Sequence, residues 1–230
     1  MKTAIVTGAS SGIGEAIVVR LLAQGYRVIG ISRSISATDF AEEAFTPYCC
    51  DLSDINSIAK LVTDLKKEDP SLLINAAGAG IFAPHEEIAF HDIAKLTTLN
   101  LTAPMLLSHA LLRKLKNNGG YIININSIEA LRASKFAALY SATKAGLKAF
   151  GDALFEETRK SRLSITNINP DMTQSSFYEH LRFEPTNKED EKLFASDIAD
   201  AVEHILTMRK GAVVTDYTIR SLHFGIAKKQ

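Results

Sequence analysis

The chain has 230 residues, 26 basic and 26 acidic side chains and a hydrophobic fraction of 46%. The charge balance argues against nucleic acid or an anionic membrane as partner, and the apolar content supports a sizeable core in a single α/β domain spanning 1–230. No run approaches the roughly 20 apolar residues that cross a bilayer, and the N-terminal apolar run is too short for a signal-peptide core, so a cytoplasmic protein with no resident metal is expected.

In chain order, β-branched runs alternate with segments of helical period. Strands are expected at 3–7 (TAIVT), 27–32 (RVIGIS), 46–50 (TPYCC), 71–75 (SLLIN), 121–126 (YIININ), 163–168 (LSITNI) and 212–219 (AVVTDYTI). Helices are expected at 12–24, 54–67, 92–116, 138–161 and 196–208. This alternation implies right-handed βαβ units, hence a doubly wound, Rossmann-type parallel sheet of about seven strands with helices on both faces. Ligands of such sheets bind beyond the carboxyl ends of the strands, where strand order reverses. The chemistry is therefore expected in the loops that follow the strands.

The first of these loops is TGASSGIG at 7–14. Gly8, Gly12 and Gly14 permit a tight turn and close approach of a phosphate, while the helix N-terminus near residue 12 offers free N–H groups and positive dipole. Glu15 follows Gly14 where a triphosphate loop would carry lysine, so a dinucleotide pyrophosphate is the expected occupant. After the second strand, GISRS at 30–34 lacks the acid that accepts hydrogen bonds from the ribose 2′-hydroxyl of NAD. Arg33, between Ser32 and Ser34, instead matches a phosphate with a charged fork of donors. NADP(H) is the expected cofactor, with NAD(H) as the second choice. Cys49 and Cys50 are adjacent, a spacing that strains a disulfide, and are read as buried thiols at a strand end.

Within LYSATKAG at 139–146, Tyr140 and Lys144 stand at i and i+4 and share a helix face. A phenol with a pKa near 10 is a poor acid–base group at neutrality, and a neighbouring cation favours the phenolate. Lys144 is thus expected to lower the pKa of Tyr140. Asn100 lies four residues before Pro104, whose missing N–H deprives the Asn100 carbonyl of its ordinary helical partner.

TGASSGIG (7–14), CDLSD (50–54), NAAG (75–78), LNLTAP around Asn100, ININS ending at Ser127 and YSATK (140–144) occur in this order. Over nearly its whole length the chain resembles the classical short-chain dehydrogenase/reductase family. The resemblance implies hydride transfer between a nicotinamide and a carbonyl or secondary alcohol, by a catalytic group of Asn100, Ser127, Tyr140 and Lys144. Tyr140 would be the general acid/base, Ser127 would polarise the substrate oxygen, Lys144 would also hold the nicotinamide ribose, and the Asn100 backbone would hold a proton-relaying water. It places Ser10, Ser11 and Ile13 with the loop glycines at the pyrophosphate, Arg33, Asp51 and Leu52 on the adenine side, and Asn75, Ala76 and Gly78 beside the ribose. Pro170 and either Thr173 or Ser175 would flank the nicotinamide.

Two departures stand out: Asp171 replaces the glycine of a usual Pro-Gly pair, and Ser11 stands where many NADP-binding relatives carry a second basic residue. The segment 174–195 mixes aromatics and charges without a clear strand and is read as a substrate lid. In it Phe177, Tyr178, Leu181 and Phe183 are candidates for shaping the pocket, as are His85, Glu129 and Arg132 in other loops. Two other readings compete with this one. A dinucleotide-binding redox sensor without turnover tends to lose the tyrosine or lysine that this chain keeps. An epimerase or dehydratase of the extended branch carries a larger C-terminal domain, whereas this chain ends about a dozen residues after its last expected strand. Ala142, Ala145, Gly146, Ala149, Gly151 and Ala153 give helix 138–161 small side chains suited to a partner helix, and the family commonly pairs it and the helix near 92–116 into a homotetramer, with a homodimer as the alternative.

Overall fold

The first strand shows why the sheet is covered on both sides. In β1 (Thr3–Thr7) the side chains alternate, so Ala4 and Val6 enter one core cluster and Ile5 the other, and all three are fully buried. The computed structural model describes residues 1–37, 39–40 and 42–229. The strands that follow are β2 (Arg27–Ser32), β3 (Phe45–Cys49), β4 (Leu72–Asn75), β5 (Tyr121–Ile125), β6 (Ser164–Pro170), β7 (Thr173–Gln174), β8 (Phe183–Pro185), β9 (Leu193–Phe194), β10 (Asp216–Ile219) and β11 (Ile226–Lys228). Seven of them form a parallel sheet in the order β10-β6-β5-β4-β1-β2-β3. Strand order reverses between β1 and β4, which locates the binding crevice at their carboxyl ends.

The helices are α1 (Gly12–Ala23), α2 (Ile55–Leu65), α3 (Phe90–Thr97), α4 (Ala103–Asn117), α5 (Ala138–Thr158) and α6 (Ala195–Thr207). Helices α1 and α6 cover one face through Ile17, Leu21, Ile198 and Val202, and α2, α4 and α5 cover the other through Ile58, Leu61, Leu107 and Leu154. No helix among the described residues is long and apolar enough to cross a membrane.

Four local expectations need correction. The single helix at 92–116 is two helices joined by a π-helical turn, Thr98–Thr102, in which the Ala103 N–H donates to the Thr98 carbonyl. Pro104, at the start of α4, donates no N–H to the preceding turn, so the wider turn is tolerated there. The lid does contain strand: β8 pairs antiparallel with β11, and β7 pairs with β9. The last sheet strand covers only Asp216–Ile219 of the expected 212–219. Cys49 is exposed, with its thiol 2.8 Å from the Arg33 carbonyl; only Cys50 is buried, and burial pushes its thiol up to about 11.

A polar row crosses the sheet beneath α5. Asn75, Asn124 and Asn167 are in register on β4, β5 and β6, and Nδ2 of each of the first two donates to Oδ1 of the next, at 2.9 and 3.2 Å. Nδ2 of Asn167 in turn donates to Oδ1 of Asp152 and to the Lys148 carbonyl on α5. Gly151 faces this row and is buried, so it does not belong to the outward stripe of small residues, while Ala142, Ala145, Ala149 and Ala153 are exposed. A Cβ on Gly151 would stand 2.4 Å from the Asn167 Oδ1. Gly151→Ala should therefore destabilise the fold by about 1–3 kcal/mol, because overpacking outweighs the roughly 1 kcal/mol gain in helix propensity. Urea denaturation of both proteins measures the difference.

Candidate active site

The crevice is built first from backbone. Gly8 has φ +68°, and a Cβ there would lie 2.9 Å from the Ala77 backbone. A Cβ on Gly14 would lie 2.1 Å from the Gly8 carbonyl oxygen, so glycine is what lets α1 begin directly over the end of β1. Thr7 ties this loop to the next, its Oγ1 accepting from the N–H groups of Ala76 and Ala77 at 3.0 Å. Ser11, the N-cap of α1, makes no side-chain cap hydrogen bond, leaving the first-turn N–H groups without that partner.

A cavity of about 560 Å³ lies over this loop. Its walls include Gly8, Ser10, Ser11, Gly12, Ile13 and Gly14 from the loop and Arg33 from the end of β2. Asp51 and Leu52 follow β3, and Ala76 and Gly78 follow β4. Ser10 and Ser32 share a hydrogen bond of 2.7 Å at the β2 end. Burial alone would raise the Asp51 carboxyl, but hydrogen bonds from Ser53 and the charge of Arg33 hold it below the usual range. Asn75 does not face the cavity: its side chain is taken by the row of asparagines in the sheet.

A second cavity, about 860 Å³, adjoins the first, and Ile13, Ala76, Gly78, Ser175 and Phe177 line both. Ser127, Tyr140 and Lys144 converge on its floor, and Pro170, Asp171 and Thr173 form one side. Lys144 donates to the Ile125 carbonyl at 2.9 Å and its ammonium lies 5.9 Å from the centre of the Tyr140 ring. Asn100, fully buried in the π turn, holds the strand-end loop: its side chain accepts from the Ala79 N–H and donates to the Ala79 carbonyl and the Thr143 hydroxyl.

The electrostatics reverse one expectation. Burial pushes the Tyr140 phenol up to about 12, against a hydrogen bond from Ser127 that favours the phenolate. Burial also lowers Lys144 to about 8. In the free chain, removal from water prevails at both groups, and each moves toward its neutral form. Ser127 accepts from the Glu129 N–H at 3.1 Å, which leaves its own O–H to donate toward Tyr140 or a bound oxygen.

Asp171 needs no glycine-like backbone, since its φ is not positive. Its buried carboxylate pairs with Arg220 at 2.8 Å and accepts the Met172 N–H, so it braces the loop after β6 against the end of β10. Thr173 is buried with its hydroxyl donating to the Asp171 carbonyl, and Ser175 packs on Gly12. Of the lid candidates, Phe177, Tyr178 and Phe183 line the second cavity and Leu181 does not; of the loop candidates, Glu129 and Arg132 line it and His85 does not. Phe82, Phe136, Phe224, Ile226 and Lys228 also line it. The last three come from a C-terminal tail whose apolar alternation is too short to announce a strand.

The match to known proteins agrees with this geometry. Residues 2–185 match the family model described as short chain dehydrogenase. An uncharacterized oxidoreductase of Staphylococcus epidermidis is 30% identical over 227 residues, covering 95% of this chain and 96% of the relative. An alcohol dehydrogenase from the archaeon Thermococcus sibiricus, solved with 5-hydroxy-NADP, superposes with a TM-score of 0.86 at 25% identity over 96% of this chain and 97% of that one. A metagenomic short-chain oxidoreductase solved with NADP superposes with a TM-score of 0.79 at 27% identity, covering 95% of this chain and 96% of that one. On its sequence, its sheet order and its glycine-built crevice, the chain belongs to the short-chain dehydrogenase family of oxidoreductases.

Proposed function

We propose that the chain is an NADP(H)-dependent oxidoreductase acting on a carbonyl or secondary alcohol, with Tyr140 as general acid/base. The observation that carries this reading is the convergence of Ser127, Tyr140 and Lys144 on the second cavity, which shares Ile13, Ala76, Gly78, Ser175 and Phe177 with the first. The first cavity suits a dinucleotide: the glycine loop lines it together with Arg33, Asp51 and Leu52, and the uncapped start of α1 presents N–H groups to an anion. The alcohol dehydrogenase solved with 5-hydroxy-NADP and the metagenomic oxidoreductase solved with NADP support the same assignment. When bound, the reduced dinucleotide supplies hydride to the carbonyl carbon.

The remaining steps belong to the chain. Ser127 donates a hydrogen bond to the substrate oxygen and holds it beside Tyr140. The high pKa keeps Tyr140 protonated at neutral pH, the form that reduction requires. As the C=O double bond becomes a C–H and an O–H bond, the Tyr140 proton passes to the oxygen and leaves a phenolate. The Lys144 ammonium, on the same helix face, would stabilise that charge and would bond the ribose hydroxyls of a bound dinucleotide; a Cβ on Gly78, which lines both cavities, would lie 3.3 Å from its Nζ. Oxidation runs the same transfers in reverse. Arg33 would hold the 2′-phosphate, with Ser10 and Ser32 beside it. The exposed stripe Ala142, Ala145, Ala149 and Ala153 on α5 would meet a second copy of the chain.

Tyr140→Phe is expected to lower kcat by about 10²–10⁴-fold with little change in NADPH affinity, as steady-state kinetics and fluorescence titration would show. Arg33→Ala should weaken NADPH by about 1.5 kcal/mol and leave NADH nearly unchanged, the low end of the range for a charged hydrogen bond because Arg33 is exposed. Equal losses for the two cofactors would refute the 2′-phosphate assignment. Light scattering at micromolar concentration should report a multiple of the 25.1 kDa chain mass.

A further inference from the structure

We infer that the substrate carries an anionic group, a carboxylate or similar oxyanion, separated from its reacting carbon by an aromatic or apolar body. The inference rests on the reading of Tyr140 as the proton donor, and it follows from how the second cavity divides. Around Tyr140 the wall is aromatic: the Phe82 and Phe177 ring centres lie 5.2 and 5.8 Å from that of Tyr140, and Phe183 stands edge-on to Phe82 at 5.0 Å. A flat apolar body fits against these rings.

The same lining also carries charge. Arg132, Lys135, Arg182, Lys228 and Lys229 line the same cavity, against the carboxylates of Glu87, Glu129 and Asp171. Two of those acids are already engaged, Asp171 by Arg220 and Glu129 by Arg132 with Ser134 and Ser141. Lys229 is engaged too, by the Tyr178 carbonyl and Glu184. Among the described residues Lys135, Arg182 and Lys228 have no carboxylate partner, and Arg132 uses only its Nε on Glu129. A chain whose total charge is zero thus lines this cavity with more free cations than carboxylates, Glu87 being the one lining acid among the described residues not already engaged.

The C-terminal tail is what brings them together. Antiparallel pairing sets Lys228 opposite Phe183, and the Lys229 N–H donates to the Arg182 carbonyl at 3.0 Å. Ile226 and Lys228 share one face of β11 by the two-residue period, and both line the cavity. Phe224, earlier in the tail, lies 5.9 Å from the Arg132 guanidinium. The paired segments therefore bring Phe183 and Ile226 as apolar wall and Arg182 and Lys228 as cations to one cavity, and a substrate with an apolar span and a terminal oxyanion satisfies both.

4-Acetylbenzoate and its methyl ester test this, since both present the same aryl ketone with the ring between the carbonyl and the terminal group, and only the first is charged. NADPH oxidation should give a kcat/KM at least about tenfold higher for the acid than for the ester. In the Arg182→Gln/Lys228→Gln double variant that ratio should fall toward one, and in Arg182→Lys/Lys228→Arg it should be kept. Calorimetric titration of each compound into the protein with NADP⁺, where no reduction can occur, reads the same preference without turnover. An ester bound and reduced as well as the acid, or a ratio indifferent to the charge-removing variant, would overturn the inference. Preferential binding of the acid with reduction of neither compound would uphold the anion site and count against the dehydrogenase reading instead.

Discussion

The close approach of α5 to the sheet is the constraint on which the rest of the site depends. At Gly151 the helix comes near enough for the Asn167 side chain to bond both the Lys148 carbonyl and Asp152, with no room for a Cβ between them. Two turns toward the N-terminus, the same proximity puts Lys144 within reach of the Ile125 carbonyl and Thr143 against Asn100. A helix held farther out would lose these bonds together and would carry Tyr140 away from Ser127, which sits on a different element, at the turn after β5. The asparagine row explains why a polar strip is tolerated in an otherwise apolar interface: most of its amide groups are passed from strand to strand and then to the helix.

Burial then sets the chemistry. Tyr140 is driven toward retention of its proton and Lys144 toward release of its own, because both lie in a pocket with little access to water. A phenolate formed there would lack solvent stabilisation, which is why the nearby ammonium and the Ser127 hydroxyl matter more than they would on a surface. Ser127 is itself directed by the Glu129 N–H, and the Glu129 carboxylate is pinned by Arg132, Ser134 and Ser141. The orientation of one hydroxyl is thus supported by a buried acid that does not itself touch the tyrosine oxygen.

The outer wall is assembled from chain segments far apart in sequence. The lid is fastened in two places, through β7 with β9 and through β8 with β11, and the Lys229 ammonium bonds the Tyr178 carbonyl beneath it. The lid also reaches the glycine loop, where the Ser176 hydroxyl donates to that of Ser11. The rim of the crevice is therefore shared by the tail, the segment 174–195 and the first helix, and the pocket between them mixes aromatic rings with cations.

Much of this was legible in the chain itself. Alternating strand and helix periods announced a parallel sheet, and the glycines of 7–14 marked the crevice because steric room for backbone is written directly in the absence of a side chain. Tyr140 and Lys144 were readable as a pair from helical spacing, and Arg33 from its place after β2. The sign of the Tyr140 shift was not, since neighbours in sequence state which charges are close but not how much water is excluded. Only tertiary packing decided that burial prevails, that Asn75 belongs to the sheet and not to the crevice, and that Asp171 is a brace for Arg220. It also decided the role of the tail: three residues of β11 hold no period strong enough to predict, and they become a strand because the lid offers an unpaired edge to complete.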